Sequence, residues 1–257
     1  MTRDAGDRIV VGLHPVRELL RAGRPLRRIL IDRERSRTEV VTEIHDLADA
    51  AGVVVETVPR AAIDQRAEGH THQGMLAIAP AFPYVGIDHL LARAARSGEL
   101  PLLIVLDGIT DPHNLGAIAR TAKVVGAHGL IVPRRRAANV TPSVEKAAAG
   151  ALAHLPIARV PNVSTALRTL AASGVWTVGL SSTAPQSVFS CDLLTEPVAL
   201  VIGSESTGLA RSSHVHCDTL VSLPVAGQLG SLNASVAAGV ATYEVWRRRH
   251  EPGALSE

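Results

Sequence analysis

Apolar positions recur along the chain with two periods. Short β-branched or apolar runs at Arg8–Val11, Leu26–Ile31, Val53–Val58 and Met75–Ala79 read as strands. Between them, Val16–Arg21 is opened by His14-Pro15 and stopped by Ala22-Gly23. Thr38–Ala51 places Val40, Val41, Ile44, Leu47, Ala48 and Ala51 on one helical face and ends at Gly52. Arg60–Arg66 adds a short helix. These elements predict a compact α/β domain over residues 1–80. Pro80–Gly86 punctuates the pattern, and Asp88–Arg96 reads as the helix of a linker spanning 81–100.

Leu100–Asp107 is a continuous apolar run, the form taken by a parallel strand covered on both faces. Helices at Leu115–Val125, Pro142–Ala149 and Val163–Ala172 alternate with strands at Leu130–Val132, Ile157–Val160 and Val175–Leu180. Strands at Val198–Ile202 and Thr219–Leu223 and a long helix at Ser231–Arg249 complete the pattern. Alternating β and α predicts a parallel sheet with helices on both faces over 101–250, followed by a tail at 251–257.

Composition narrows the function classes. The chain has 257 residues, 46% hydrophobic, with a formal net charge of +2, which excludes global disorder. Cys191 and Cys217 are too few for a disulfide scaffold or a cysteine zinc cage. No apolar run reaches the roughly 18 residues of a membrane span, and MTRDAGDR has no signal-peptide core. The expectation is a cytoplasmic protein with no metal site. Aromatic residues are 2% of the chain, too few for RNA recognition mainly by base stacking. Arginine is clustered instead. Residues 1–37 hold ten arginines against five acids, and Arg134-Arg135-Arg136 and Arg247-Arg248-Arg249 form two further groups. Clustered arginine suits a polyanion, although a solvated surface has the same composition.

Three segments carry more polar detail than packing needs. Leu106-Asp107-Gly108-Ile109-Thr110-Asp111-Pro112-His113-Asn114 leads into a helix bearing Arg120, with Asp111 or Asn114 as its cap. Arg120 stands among Ala117, Ile118, Ala119 and Ala122, so an anion or a buried acceptor is expected beside it. Ile202-Gly203-Ser204-Glu205-Ser206-Thr207-Gly208-Leu209 ends a buried strand, where glycine would let backbone approach a ligand. Leu223-Pro224-Val225-Ala226-Gly227 feeds the last helix, with Ser231 a candidate cap and Asn233 and Ser235 close by. Neither G-x-G-x-x-G nor G-x-x-x-x-G-K-[ST] occurs, which disfavours a dinucleotide-dependent oxidoreductase.

Taken together and in order, the three segments resemble the motifs of the SpoU (TrmH) family of RNA ribose 2′-O-methyltransferases, of the SPOUT class. The patterns are D-x-x-x-D-P-x-N-x-G-x-x-x-R-[ST]-A, I-G-x-E-x-x-G-[LI] and [IL]-P-x-x-G-x-x-x-S-L-N-x-S-x-A. Residues 8–80, including His72-Gln73-Gly74, look like the family's ribosomal-protein-like RNA-binding domain. The resemblance implies a C-terminal trefoil knot and a homodimer with sites completed across the interface. It implies S-adenosylmethionine at Gly203, Leu223 and Leu232, and catalytic or polar site roles for Asn114, Arg120, Glu205, Ser231 and Asn233. Ala153 stands where the family often has glutamate. The subfamily most similar in layout acts on a 23S rRNA guanosine; tRNA and antibiotic-resistance rRNA sites remain alternatives. A catalytically inactive RNA-binding assembly factor is a further alternative, against which the intact polar residues argue. A ribose hydroxyl must lose its proton as it attacks, and a guanidinium gives up its own proton with difficulty. Arg120 therefore acts either in a strongly perturbed state or by electrostatics.

Overall fold

A computed structural model of the chain describes residues 6–35, 38–226 and 232–251. It contains two compact units. The first is built from β1 (Arg8–Val11), α1 (Leu13–Arg21), β2 (Arg28–Asp32), α2 (Glu39–Ala50), β3 (Val54–Val58), α3 (Arg60–Ala67) and β4 (Met75–Ala79). The sheet order is β1-β4-β2-β3, with β4 antiparallel to both neighbours and β2 parallel to β3. Side chains alternate across it as the pleat dictates. Val10, Ile29, Ile31, Met75 and Ala77 pack with Leu19, Ile44 and Ala48 on one face. Ile9, Val11, Leu30 and Leu76 pack with Ile63 and Ala67 on the other. Thr38 caps α2, its side chain accepting from Val41 N–H at 3.4 Å.

The second unit holds α4 (Ile87–Ser97), β5 (Leu102–Asp107), α5 (Pro112–Val124) and β6 (Gly129–Pro133). The chain next forms α6 (Pro142–Ala148), which belongs to the first unit. It then returns with β7 (Ile157–Val160), α7 (Val163–Ala172), β8 (Trp176–Leu180), β9 (Val198–Gly203), α8 (Arg211–His216), β10 (Thr219–Val221) and α9 (Ala234–His250). Six parallel strands lie in the order β10-β8-β9-β5-β6-β7. Central β5 and β9 are buried over nearly their whole length, as their unbroken apolar runs predict. Ile87 and Leu90 of α4 share a core with Leu103, Val105, Leu167 and Leu170, so the expected linker helix is part of this unit.

Residues 139–154, expected within the C-terminal domain, are instead held in the first unit by polar contacts. Glu145 pairs with Arg8, Arg24 Nε donates to Ala153 O at 2.9 Å, and His154 Nε2 meets Glu18 Oε2 at 3.0 Å. Burial works against the Glu18 carboxylate, yet its pKa lies below the ordinary value because of the His154 hydrogen bond and the Arg21 and Arg17 charges. The arginine excess of the first segment is therefore largely engaged internally. Arg21 bonds Glu43, Arg27 bonds Asp7, Arg28 bonds Glu56, and Arg35 donates to Gln73 O. Arg3 and Arg37 lie outside the described residues.

A buried imidazole ties the start of β5 to the end of α4. His128 Nδ1 accepts from Leu102 N–H at 3.1 Å, and its Nε2 meets Ser97 Oγ at 3.0 Å. The Ser97 hydroxyl donates onward to Ala94 O, so the neutral ring satisfies both nitrogens. Burial pushes its pKa below 6.5. In the unfolded chain the ring protonates first, so this contribution to stability is complete above about pH 6.5 and is lost as pH falls below it. Denaturant unfolding is expected to show stability falling between pH 7.5 and 5.5, with a shallower fall in His128→Gln. An equal fall in both proteins would remove His128 from the account.

Candidate active site

Ligands of open parallel sheets bind outside the carboxyl ends of the strands. Here β5 and β9 run in register to Asp107 opposite Gly203, and the polar motif residues gather at that end. Asp111 caps α5 by accepting from His113 N–H at 2.9 Å, which settles the cap between Asp111 and Asn114. Asn114 is thereby free to face inward and is only 6% exposed. Its Nδ2 donates to Glu205 Oε1 at 3.2 Å, and its Oδ1 accepts from Asn233 Nδ2 at 3.0 Å. Asn233 Nδ2 also reaches Glu205 Oε1, which further accepts from Ala234 N–H at 3.1 Å. Glu205 therefore joins the second motif to the first and the third at one oxygen.

Asn233 caps the last helix. Its Oδ1 accepts from Ser235 N–H at 2.9 Å and from Val236 N–H at 3.3 Å. Ser231 lies outside the described residues. Glu205→Ala would strand the buried Asn114 amide, the Asn233 amide and one helix N–H together. A lost bond to a charged acceptor is worth about 1.5–3 kcal/mol. Denaturant unfolding is expected to show a loss of at least that size, and wild-type stability would contradict the bridging role.

A cavity of about 540 Å³ lies beside this cluster. It is lined by Gly203, Leu223 and Leu232, the residues the resemblance assigns to the cofactor, and by Glu205. Residues the sequence reading missed also line it: Ser181 and Thr183 after β8, and His214 of α8. No motif marks them, because they come from short segments brought in by the sheet order. Asp107 was quoted in the first motif without a role. Its Oδ2 accepts from Ala210 N–H at 2.8 Å, pinning the loop that follows Gly203. Gly203 also has a packing role. A Cβ there would collide with the backbone of Gly208 and Leu209, so the missing side chain makes room for the protein's own loop. That loop is closed by Ser204 N–H to Gly208 O at 3.1 Å and Gly208 N–H to Ser204 O at 2.9 Å.

The lining chemistry suits a nucleoside-type ligand. It offers Leu180, Ile202, Leu209, Leu223 and Leu232 as an apolar wall, with backbone groups at strand ends. Its ionisable side chains are Glu205 and His214, with no arginine or lysine among the described lining residues. S-adenosylmethionine has an adenosine to pack against the wall, a cationic sulfonium and no phosphate, and fits both the size and the charge.

The structure does not bring Arg120 into this cluster. It lies six residues after Asn114, about 240° around α5. It is exposed, with no side-chain hydrogen bond or ion pair among the described residues. The expectation of a buried acceptor is therefore corrected. The small apolar neighbours Ala119 and Ala122 face the core, while the guanidinium points outward.

A parallel sheet with a cavity at its carboxyl edge, beside a polar cluster anchored on buried Asn114, suits an enzyme that uses a nucleoside cofactor. The comparisons with known proteins make the class specific. Residues 101–243 match the SpoU rRNA methylase family, and residues 9–85 match the RNA 2′-O ribose methyltransferase substrate-binding family. The chain belongs to the SpoU (TrmH) family of S-adenosylmethionine-dependent RNA methyltransferases. It is 41% identical over 244 residues to the putative TrmH family tRNA/rRNA methyltransferase YacO of Bacillus subtilis, covering 95% of this chain and 97% of that one. A putative TrmH family tRNA/rRNA methyltransferase of Staphylococcus aureus is 36% identical, with 97% and 99% covered. Among solved structures, the SpoU methyltransferase AviRb of Streptomyces viridochromogenes, in complex with AdoMet, aligns with a TM-score of 0.79. Its identity is 30%, over 95% of this chain and 91% of that one. Among the described residues no group of three or more histidine, cysteine or acidic side chains is placed to hold a metal, and no helix is long and apolar enough to cross a membrane.

Proposed function

We propose that this enzyme methylates the ribose 2′-oxygen of a guanosine in 23S rRNA, in the cytoplasm, as a homodimer. The observation that carries the ribose chemistry is the Asn114–Glu205–Asn233 cluster beside a cavity suited to a sulfonium cofactor. The cofactor supplies an electrophilic methyl group. Gly203, Leu223 and Leu232 are the residues that would hold it, and Glu205 fixes the third motif against the first. The polar cluster, with Ser231, positions the ribose, and Arg120 activates the hydroxyl. Layout favours rRNA: the matched substrate-binding segment precedes the catalytic one in a single chain. The relatives' descriptions cover both tRNA and rRNA, so a tRNA guanosine is the second reading. Mapping ribose methylation in the rRNA and tRNA of a deletion strain tests the target. Loss at one 23S guanosine is expected, and loss only in tRNA would move the assignment.

The dimer reading rests on α9 and α5. Val236, Val240, Tyr243 and Trp246 leave an apolar stripe of α9 exposed, and Phe189 extends it. Ala117 and Thr121 of α5 line the same depression. Arg120 and the exposed Val124 stand at helical spacing from Ala117, so the guanidinium emerges at the edge of this face. An apolar patch of this kind on a soluble protein marks an interface. A second copy seated there would bring Arg120 to the partner's ribose. The same reading carries the trefoil knot. Strand β10 lies at the sheet edge, whereas α9 packs on α5 and β9 at its centre, an arrangement consistent with it. Sedimentation is expected to give twice 27.0 kDa, and Tyr243→Asp to give an inactive monomer. A fully active monomer would contradict the shared site.

A further inference from the structure

The sequence singles out three arginine clusters, and the structure treats them differently. In the first unit Arg17, Arg21, Arg27 and Arg28 pair with Glu18, Glu43, Asp7 and Glu56. At the end of α9, Arg247 bonds Glu244 and Arg248 bonds Cys191 O and Asp192. Arg249 donates to the carbonyls of Leu194, Leu100, Pro101 and Glu196. That cluster locks the helix end onto the body and has little left to offer a ligand.

Arg134, Arg135 and Arg136 differ. All three are exposed, and none of their side chains has a hydrogen bond or ion pair among the described residues. They form the turn after β6. Because β6 runs parallel to β5, the turn lies at the same carboxyl edge as Asp107 and Gly203. The turn is pinned at both ends. Arg134 N–H donates to Val160 O at 2.8 Å, and Ala138 N–H donates to Ile109 O at 2.9 Å, in the loop that leads to Asp111 and Asn114. Arg136 is held at φ 58°, a left-handed conformation that L-residues seldom adopt. Three adjacent like charges with no internal counter-charge repel one another, and a polyanion relieves that repulsion. The planar fork of arginine also suits bidentate phosphate contact.

We propose that the Arg134–Arg136 turn clamps backbone phosphates of the substrate RNA next to the ribose presented for methylation. This deepens the RNA-methyltransferase reading and rests on it. Phosphate contact is independent of sequence, so deproteinised 23S rRNA and bulk tRNA both serve as probes. Filter binding by the full-length protein across a potassium chloride series reads the number of contacts. Each phosphate contact contributes about 0.7–0.9 to the slope of log affinity against log salt. R134A/R135A/R136A is expected to flatten that slope by about 2 units and to weaken low-salt binding at least tenfold on both RNAs. Cofactor affinity by calorimetry and the melting temperature should stay at wild type. R134K/R135K/R136K should restore the slope, because lysine also binds phosphate as a point charge. Arg96→Ala, at the end of α4 on the opposite edge of the sheet, should leave it unchanged. A wild-type slope in the triple alanine variant would reduce the turn to solvated surface and overturn the proposal. Weaker binding with an unchanged slope would also overturn it. If wild-type protein binds neither RNA, the RNA-methyltransferase reading falls first, and the clamp with it.

Discussion

Arg120→Ala is expected to slow methyl transfer by roughly 10²- to 10⁴-fold, the usual worth of a group that activates a nucleophile or stabilises its charge. The structure makes this variant unusually clean. The guanidinium is exposed and makes no side-chain hydrogen bond or ion pair among the described residues, so removing it breaks no internal bond. Fold, melting temperature and cofactor affinity should therefore be unchanged while the chemical step is lost. Lysine should rescue poorly, because a point charge does not reproduce the fork. If Arg120 acts across a dimer, mixing Arg120→Ala with a Glu205→Ala chain is expected to recover part of the activity in heterodimers, where one site is intact. Single-turnover transfer with saturating RNA separates this loss from weaker RNA binding. A near-wild-type rate in Arg120→Ala would remove Arg120 from the mechanism.

Gly203→Val is the second large effect, and it works through the fold. The added carbons collide with the backbone of Gly208 and Leu209, which cannot move without breaking the Ser204–Gly208 bonds and the Asp107 contact to Ala210. Overpacking costs about 1–3 kcal/mol and sometimes more. Because this loop forms one wall of the cavity, cofactor affinity is expected to fall by at least tenfold, about 1.4 kcal/mol. Gly208→Ala is the contrasting variant. Its φ of 64° makes it strained, but nothing lies within 4 Å of the new carbon. It should cost only about 1–2 kcal/mol of stability and spare most binding. Equal losses in the two variants would show that backbone strain, and not the close approach at Gly203, governs the loop.

Much of this architecture was legible in the sequence for a simple physical reason. A parallel strand buried on both faces, such as β5 or β9, must be apolar throughout, and helices between strands announce themselves by spacing and caps. The polar cluster was legible because Asn114, Glu205 and Asn233 each stand in a motif. What the sequence misplaced depends on direction or on distant partners. Arg120 looks embedded among alanines along the chain, yet Ala119 and Ala122 face the core while the guanidinium points outward. Arg8 and Arg249 look like free charge, but Glu145 and four backbone carbonyls hold them, none near in sequence. The helix at Pro142–Ala148 was legible as a helix, whereas its membership in the first unit is decided by Glu145 and its neighbours. Ser231 and Asn233 are both good cap residues, and only the hydrogen bonds choose Asn233.

The proposed reaction transfers a methyl group from S-adenosylmethionine to a ribose oxygen of RNA. The most direct test incubates the purified protein with methyl-labelled S-adenosylmethionine and deproteinised 23S rRNA and tRNA from a strain lacking the gene. The RNA is then digested to nucleosides. Label in a 2′-O-methylated nucleoside, absent with Arg120→Ala, is the result expected from the Asn114–Glu205–Asn233 cluster and its adjoining cavity. Label on a base, or none in RNA despite measured cofactor binding, would contradict it.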